Sequence, residues 1–200
     1  MLKYPAWLSL LLVLISHSSK GELSLELRHL WNKQALSTPS KELVTASGER
    51  IKLSRFAYLL SGPRLLAGRP GTNAGKWLQR ADWFAYVDAS RPGGLNRMEL
   101  GSLLPDSYRT LQFSVGLNKA IDEADPSSYP ATHALNPNYN NLHWTPQGGY
   151  IFVAVEGHLL DNGSTGGFAY HLGQPRNRVA ISLPIDLDLT CLLYTSPSPR

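Results

Sequence analysis

Apolar and polar residues alternate with a period of two along most of the chain, and the 3.6-residue period of amphipathic helices is missing. Leu23, Leu25 and Leu27 alternate with Ser24, Glu26 and Arg28, and His29 falls in phase with the leucines. Val44–Ala46 and the stretch through Ile51 and Leu53 flank a Ser47-Gly48-Glu49 turn and predict two paired strands. Further strands are predicted over Arg55–Leu66, which is interrupted by Ser61-Gly62-Pro63, and over Trp83–Val87, Tyr108–Val115, Gly167–Leu172 and Arg178–Leu183. Gly149–Glu156 is an almost unbroken apolar run, as expected of a central strand covered on both faces. Between the strands lie turn-rich loops at Ala67–Lys76, Ala89–Arg97, Ala124–Asn141 and Asp161–Gly166. The pattern predicts an all-β fold, an antiparallel β-sandwich of about seven to nine strands with long loops. The segment from Ala124 to Trp144 is long for a connection inside a compact domain, and such segments usually carry function or move.

The two ends depart from this pattern. Lys3 precedes an apolar run from Ala6 to Ile15 broken only by Ser9, and mostly small residues follow to Gly21. This is the layout of a secretory signal peptide over residues 1–21, too short in its apolar part to span a bilayer. It predicts an exported chain, periplasmic or secreted, with no membrane anchor once processed. At the other end, residues 191–200 resemble one translated frame of a transposon-type sequencing adapter, so the domain is expected to occupy residues 22–190, with the natural C-terminus missing. These readings alter the composition. The formal charge of +4 over 200 residues falls close to neutrality without Lys3, Lys20 and Arg200, which removes any case for nucleic-acid binding. The single cysteine, Cys191, also lies in the terminal segment, so the domain has no thiol with which to build a disulfide or a cysteine-rich metal site.

Two short motifs lose their appeal on inspection. GTNAGK at 71–76 lacks the first glycine of a phosphate loop, where Pro70 stands, and has Trp77 in place of the magnesium-binding Ser or Thr. Asn162-Gly163-Ser164 satisfies the glycosylation sequon, but Asp161-Asn162-Gly163 is a strong hairpin turn, and the turn is the better reading. What remains for chemistry is imidazole. His29, His133, His143, His158 and His171 are the only nitrogen ligands available to a copper, zinc or nickel ion in a domain without cysteine. No pair has the close spacing of a helical metal site, and a lone strand histidine is more often hydrogen-bonded than ligating. His29 should point to the core side of its strand. His143 abuts Trp144 just before the apolar run, and His171 falls on the face opposite Phe168, Tyr170 and Leu172. His133, on a loop, and His158, past a strand end, are weaker candidates.

Six segments in order carry a resemblance: GELSLELRHLW (21–31), RFAYLLSGPRLL (55–66), LPDSYRTLQFSVGLN (104–118), LNPNYNNLHW (135–144), GGYIFVAVEGHLL (148–160) and GGFAYHLG (166–173). Together they resemble the MbnP family of periplasmic copper-binding proteins. The resemblance implies an exported β-rich protein, not an enzyme, that binds copper through histidines, with His29, His143 and His171 as the matching positions. It also implies a partner, a dihaem cytochrome c peroxidase of the MbnH type, that oxidises a tryptophan to kynurenine. Trp144 is the candidate for that modification, with Trp31 as the alternative.

Two rival readings follow from the residues themselves. Trp77, Trp83, Tyr139 and Trp144, all near loops, suit a stacking platform for sugars in a metal-free carbohydrate-binding or adhesion-type module. A metal-dependent enzyme would need a carboxylate base, for which Glu156 and Asp161 are the nearest residues, but nothing in their surroundings marks them out.

Overall fold

The computed structural model describes residues 12–17, 22–68, 75–102, 107–144, 148–161 and 164–189. The signal-peptide and adapter readings therefore lie largely outside the described residues, as does GTNAGK up to Ala74. In chain order the strands are β1 (Leu12–His17), β2 (Glu22–Arg28), β3 (Leu30–Trp31), β4 (Gln34–Ala35), β5 (Leu43–Val44) and β6 (Arg50–Ala67). They continue with β7 (Trp77–Gln79), β8 (Phe84–Asp88), β9 (Leu95–Ser102), β10 (Ser107–Val115), β11 (Ile151–Asp161), β12 (Ser164–Gly173) and β13 (Val179–Asp188). Several are short edge pieces, which is why the count exceeds the seven to nine expected. The pairings are antiparallel throughout.

One large sheet runs in the order β12-β11-β6-β10-β13, with β5, β7 and β8 also pairing to β6. A smaller sheet, β1-β2-β9, lies over part of one face. Strand β1, within the residues read from the sequence as a signal peptide, pairs with β2, Leu12 opposite Arg28 and His17 opposite Leu23. The centre of the large sheet is β6 rather than the apolar run of β11. It stays one strand of 18 residues through Ser61-Gly62-Pro63, because the register to β10 shifts beside the proline. A bulge absorbs the missing N–H where a regular ladder would not. The expected loop from Ala89 is also shorter than the sequence suggests, since β9 begins at Leu95.

The alternation seen in the sequence becomes two cores. Leu23, Leu25 and Leu27 of β2 are fully buried and pack with Tyr58, Leu60, Leu111 and Phe113 between the two sheets. Each such side chain contributes on the order of 1.5–3 kcal/mol relative to exposure. On the other face, Ala57, Leu59, Phe152 and Ala154 are covered by Leu117, Leu135 and Leu142 from the long segment before β11. That segment is ordered by its own polar side chains. Asn118 caps helix α1 (Lys119–Asp122) by accepting from the Ile121 N–H, and Asn136 caps helix α2 (Pro137–Asn140) by accepting from Asn138. Asn140 accepts from the Leu142 N–H and donates to the Ala134 carbonyl, so it ties both ends of the turn together. The asparagines convert a long connection into a lid over the second core.

Candidate functional site

The lid delivers His143 and Trp144. His143 forms an antiparallel backbone bridge with Tyr150, and the Ile151 N–H donates to the Leu142 carbonyl, so the end of the lid is stitched to the start of β11. The Tyr150 ring is fully buried, donates its hydroxyl to the Leu135 carbonyl at 2.7 Å and meets the His143 ring edge-on at 4.9 Å. Burial pushes the Tyr150 phenol well above its ordinary range, so it is a fixed neutral post for the imidazole.

Trp144 lies against the next strand but one. A Cβ added at Gly173 would stand 2.9 Å from the indole six-membered ring and 2.7 Å from the Tyr150 carbonyl oxygen. Only glycine lets the ring lie this close to β12, two residues from His171. Gly173→Ala is expected to expel the indole and to cost about 1–3 kcal/mol as an overpacking change. Thermal unfolding together with intrinsic fluorescence checks this; unchanged stability and emission would contradict the packing.

His171 belongs to the same face of the large sheet as the lid. It pairs with Ala154, while Tyr170 and Leu172 pair with Val155 and Val153 on the opposite side. Its Nε2 lies 2.9 Å from Glu156 Oε1, and Arg55 Nη1 donates to the same oxygen at 3.3 Å. Burial alone would raise the Glu156 carboxyl, but the hydrogen bonds and charges of His171 and Arg55 outweigh it and hold the group below its usual range. The side chain remains an acceptor at neutral pH, so the neutral imidazole carries its proton on Nε2 and leaves Nδ1 without a side-chain partner among the described residues.

His143 and Trp144 border a cleft of about 1090 Å³ whose other walls include Asp122, Asp125, Gly149, Gln174 and Arg176. Asp122, 6% exposed, accepts the Tyr150 N–H at 2.8 Å. Burial is the main cause that raises its carboxyl above the ordinary value, and the neighbouring His143 pulls the other way.

His29 does not join them. It is 3% exposed, pointing inward as its phase with the leucines predicted, but it packs against Phe56 and Tyr58, with ring centroids at 5.0 and 5.6 Å. Along β6 those residues alternate with Arg55 and Ala57, so His29 is on the other face of the sheet from His171. Both of its nitrogens are engaged. The Gly94 carbonyl, 3.1 Å away, can only accept, so Nδ1 carries the proton and Nε2 accepts from the Tyr58 hydroxyl at 2.9 Å. Burial lowers its basicity and keeps the ring neutral. The expectation that all three histidines gather at one point is therefore not met by this geometry. Trp31, the alternative modification candidate, sits in the β3–β4 hairpin, and its indole N–H is buried with no hydrogen-bond partner among the described residues.

The weaker histidines have local roles or open surroundings. His133 stacks on Tyr129 at 4.7 Å and its Nδ1 accepts from the Leu135 N–H; His158 is exposed on β11. The four aromatic residues of a sugar platform have separate settings. Trp77 stacks under the Arg64 guanidinium at 4.5 Å, Trp83 and Tyr139 border one cleft, and Trp144 borders another. Sequence reasoning missed Arg55 and Asp122, which lack any motif; only their partners 101 and 28 residues away give them a role. Among the described residues no group of three or more His, Cys, Asp or Glu side chains is gathered as a ready metal cage, and no helix is long and apolar enough to cross a membrane.

Fold and site define an all-β sandwich protein whose long lid ends in His143, bridged to Tyr150 at the start of β11, and Trp144, whose indole lies against Gly173 of β12. The chain belongs to the MbnP family, whose sequence model matches residues 20–196. No curated protein and no solved structure matches it.

Proposed function

We propose that this is an exported copper-binding protein, not an enzyme, which holds one copper through His143 and His171. The observation that carries the reading is two imidazoles with nitrogen to spare near the lid: His143, against Tyr150 and with no side-chain hydrogen bond among the described residues, and His171 with Nδ1 free on β12, the strand whose Gly173 lies against the Trp144 indole. The donor set fits the metal: neutral imidazoles suit copper, and Cu(I) accepts two or three ligands. When bound, copper supplies a soft Lewis-acid centre able to accept one further donor. His29 stays outside this pair unless it surrenders the Tyr58 or Gly94 hydrogen bond.

Trp144 is the side chain proposed for that further donor, after oxidation to kynurenine by a dihaem peroxidase partner of the MbnH type. Ring opening breaks the indole C2–C3 bond and adds two oxygen atoms, one from each of two equivalents of hydrogen peroxide, which leave as two waters. Hydrolysis of the resulting formyl amide releases formate and leaves an aryl amine and a ketone. Trp144 suits this chemistry better than Trp31 because it borders an open cleft, whereas the Trp31 N–H is buried. After reaction with such a peroxidase and hydrogen peroxide, peptide mass spectrometry should find the modification on Trp144; oxidation confined to Trp31 would overturn the assignment.

Copper itself is tested by competition titration of the processed chain against a chromophoric Cu(I) chelator. One equivalent retained per chain is expected. Retention of none, with a tryptophan signal that responds to oligosaccharides instead, would favour the metal-free sugar-binding reading.

A further inference from the structure

His171 and the lid are joined through one carboxylate. Glu156 Oε1 receives His171 Nε2 at 2.9 Å and Arg55 Nη1 at 3.3 Å. Arg55 is the cross-strand neighbour of Glu156 on β6. Its second terminal nitrogen, Nη2, donates to the carbonyls of Asn140 and Asn141, both at 3.0 Å. Asn141 is the left-handed residue (φ 50°) that ends helix α2, two positions before His143. The four groups form an unbroken path: strand histidine, carboxylate, guanidinium, and the lid backbone that carries the other histidine. All are partly shielded, with side-chain exposures of 21% for Arg55, 29% for Glu156 and 31% for His171.

The chemistry of each link is selective. A carboxylate paired with a guanidinium is an acceptor only, so it fixes both the tautomer and the rotation of the imidazole. A planar fork of donors can serve a carboxylate on one side and two successive carbonyls on the other, which an ammonium on a flexible stem does not reproduce. We propose that Glu156 and Arg55 are a positioning pair: Glu156 presents Nδ1 of His171 to the metal, and Arg55 fixes the lid that places His143 against it. This rests on the copper reading for its purpose, but the positioning is a property of the metal-free protein and is tested there.

The test is nitrogen-15 NMR of the histidine rings at neutral pH, in the full chain without metal. His171 should be the Nε2-protonated tautomer in the wild type. In Glu156→Gln, whose amide can donate as well as accept, it should become a mixture with Nδ1-protonated ring. Cu(I) affinity in that variant should drop about 10- to 100-fold. In Arg55→Lys, amide exchange at Leu142 and His143 should quicken by about tenfold or more while the β11 strand amides stay protected. An unchanged His171 tautomer in Glu156→Gln, or unchanged exchange in Arg55→Lys, overturns the corresponding half of the proposal. If the wild type retains no copper, the copper reading fails by itself; the tautomer and exchange comparisons still decide whether this pair sets the two histidines.

Discussion

Replacing His29 by Ala should destabilise the protein by about 3–5 kcal/mol and leave its copper stoichiometry unchanged. The stability cost has two parts. The Tyr58 hydroxyl and the Gly94 carbonyl each lose a buried partner, at roughly 1–3 kcal/mol apiece. The vacated volume beside Phe56 adds a cavity, which the close-packed surroundings fill only in part. The turn has little room to relax, because Gly94 has a positive φ (+65°) and a Cβ there would collide with the Leu36 carbonyl. Urea unfolding measures the loss. The same residue gives a pH signature. Its basicity is lowered in the folded state from the ordinary value of 6.5, so below that pH the unfolded chain binds a proton that the native ring refuses. Stability should therefore fall as pH drops through 6.5 and below, and this contribution to the slope should vanish in the His29 variant. A stable His29→Ala protein that had lost its copper would reverse the roles assigned here.

The second large effect is on the metal. Removing His143 and His171 together should abolish high-affinity Cu(I) binding, a drop of at least about 100-fold, while the fold survives. Neither ring is fully buried, and neither carries a core hydrogen bond of the kind His29 makes. His143→Ala loses an edge contact with Tyr150, but Tyr150 keeps its own bond to Leu135. His171→Ala leaves Glu156 with Arg55. Each single change should cost no more than about 1–2 kcal/mol in stability, as expected for partly exposed positions. Binding should respond far more strongly than folding, and that contrast separates ligands from structural histidines.

The sequence announced the all-β class because its period-2 alternation lies on strands with one face in a core, as in Leu23, Leu25 and Leu27. It also put His171 on the face opposite Tyr170 and Leu172, which is where the pairing to β11 places it. Strand β9 was hidden because it carries a buried polar residue. Asn96 is 1% exposed and exchanges hydrogen bonds with the Asp88 backbone, so the apolar rhythm breaks where the tertiary contact is made. The continuity of β6 was hidden by Gly62-Pro63, a pair that ends most strands and here occupies a bulge. The place of His29 was legible only by half. Phase placed His29 inward, but no local pattern tells which of two cores an inward residue enters; that depends on how β2 and β6 meet. Likewise Arg55 and Glu156 read as ordinary strand charges until β11 is laid beside β6.

On the proposed reading the lid histidine and the β12 histidine, rather than the buried one, hold copper. This is tested most directly by one Cu(I) competition titration run in parallel on the wild type, the His143→Ala/His171→Ala variant and the His29→Ala variant. One tightly held copper is expected in the first and third proteins and none in the second. Tight copper retained by the double variant, or lost in a folded His29→Ala protein, would contradict it.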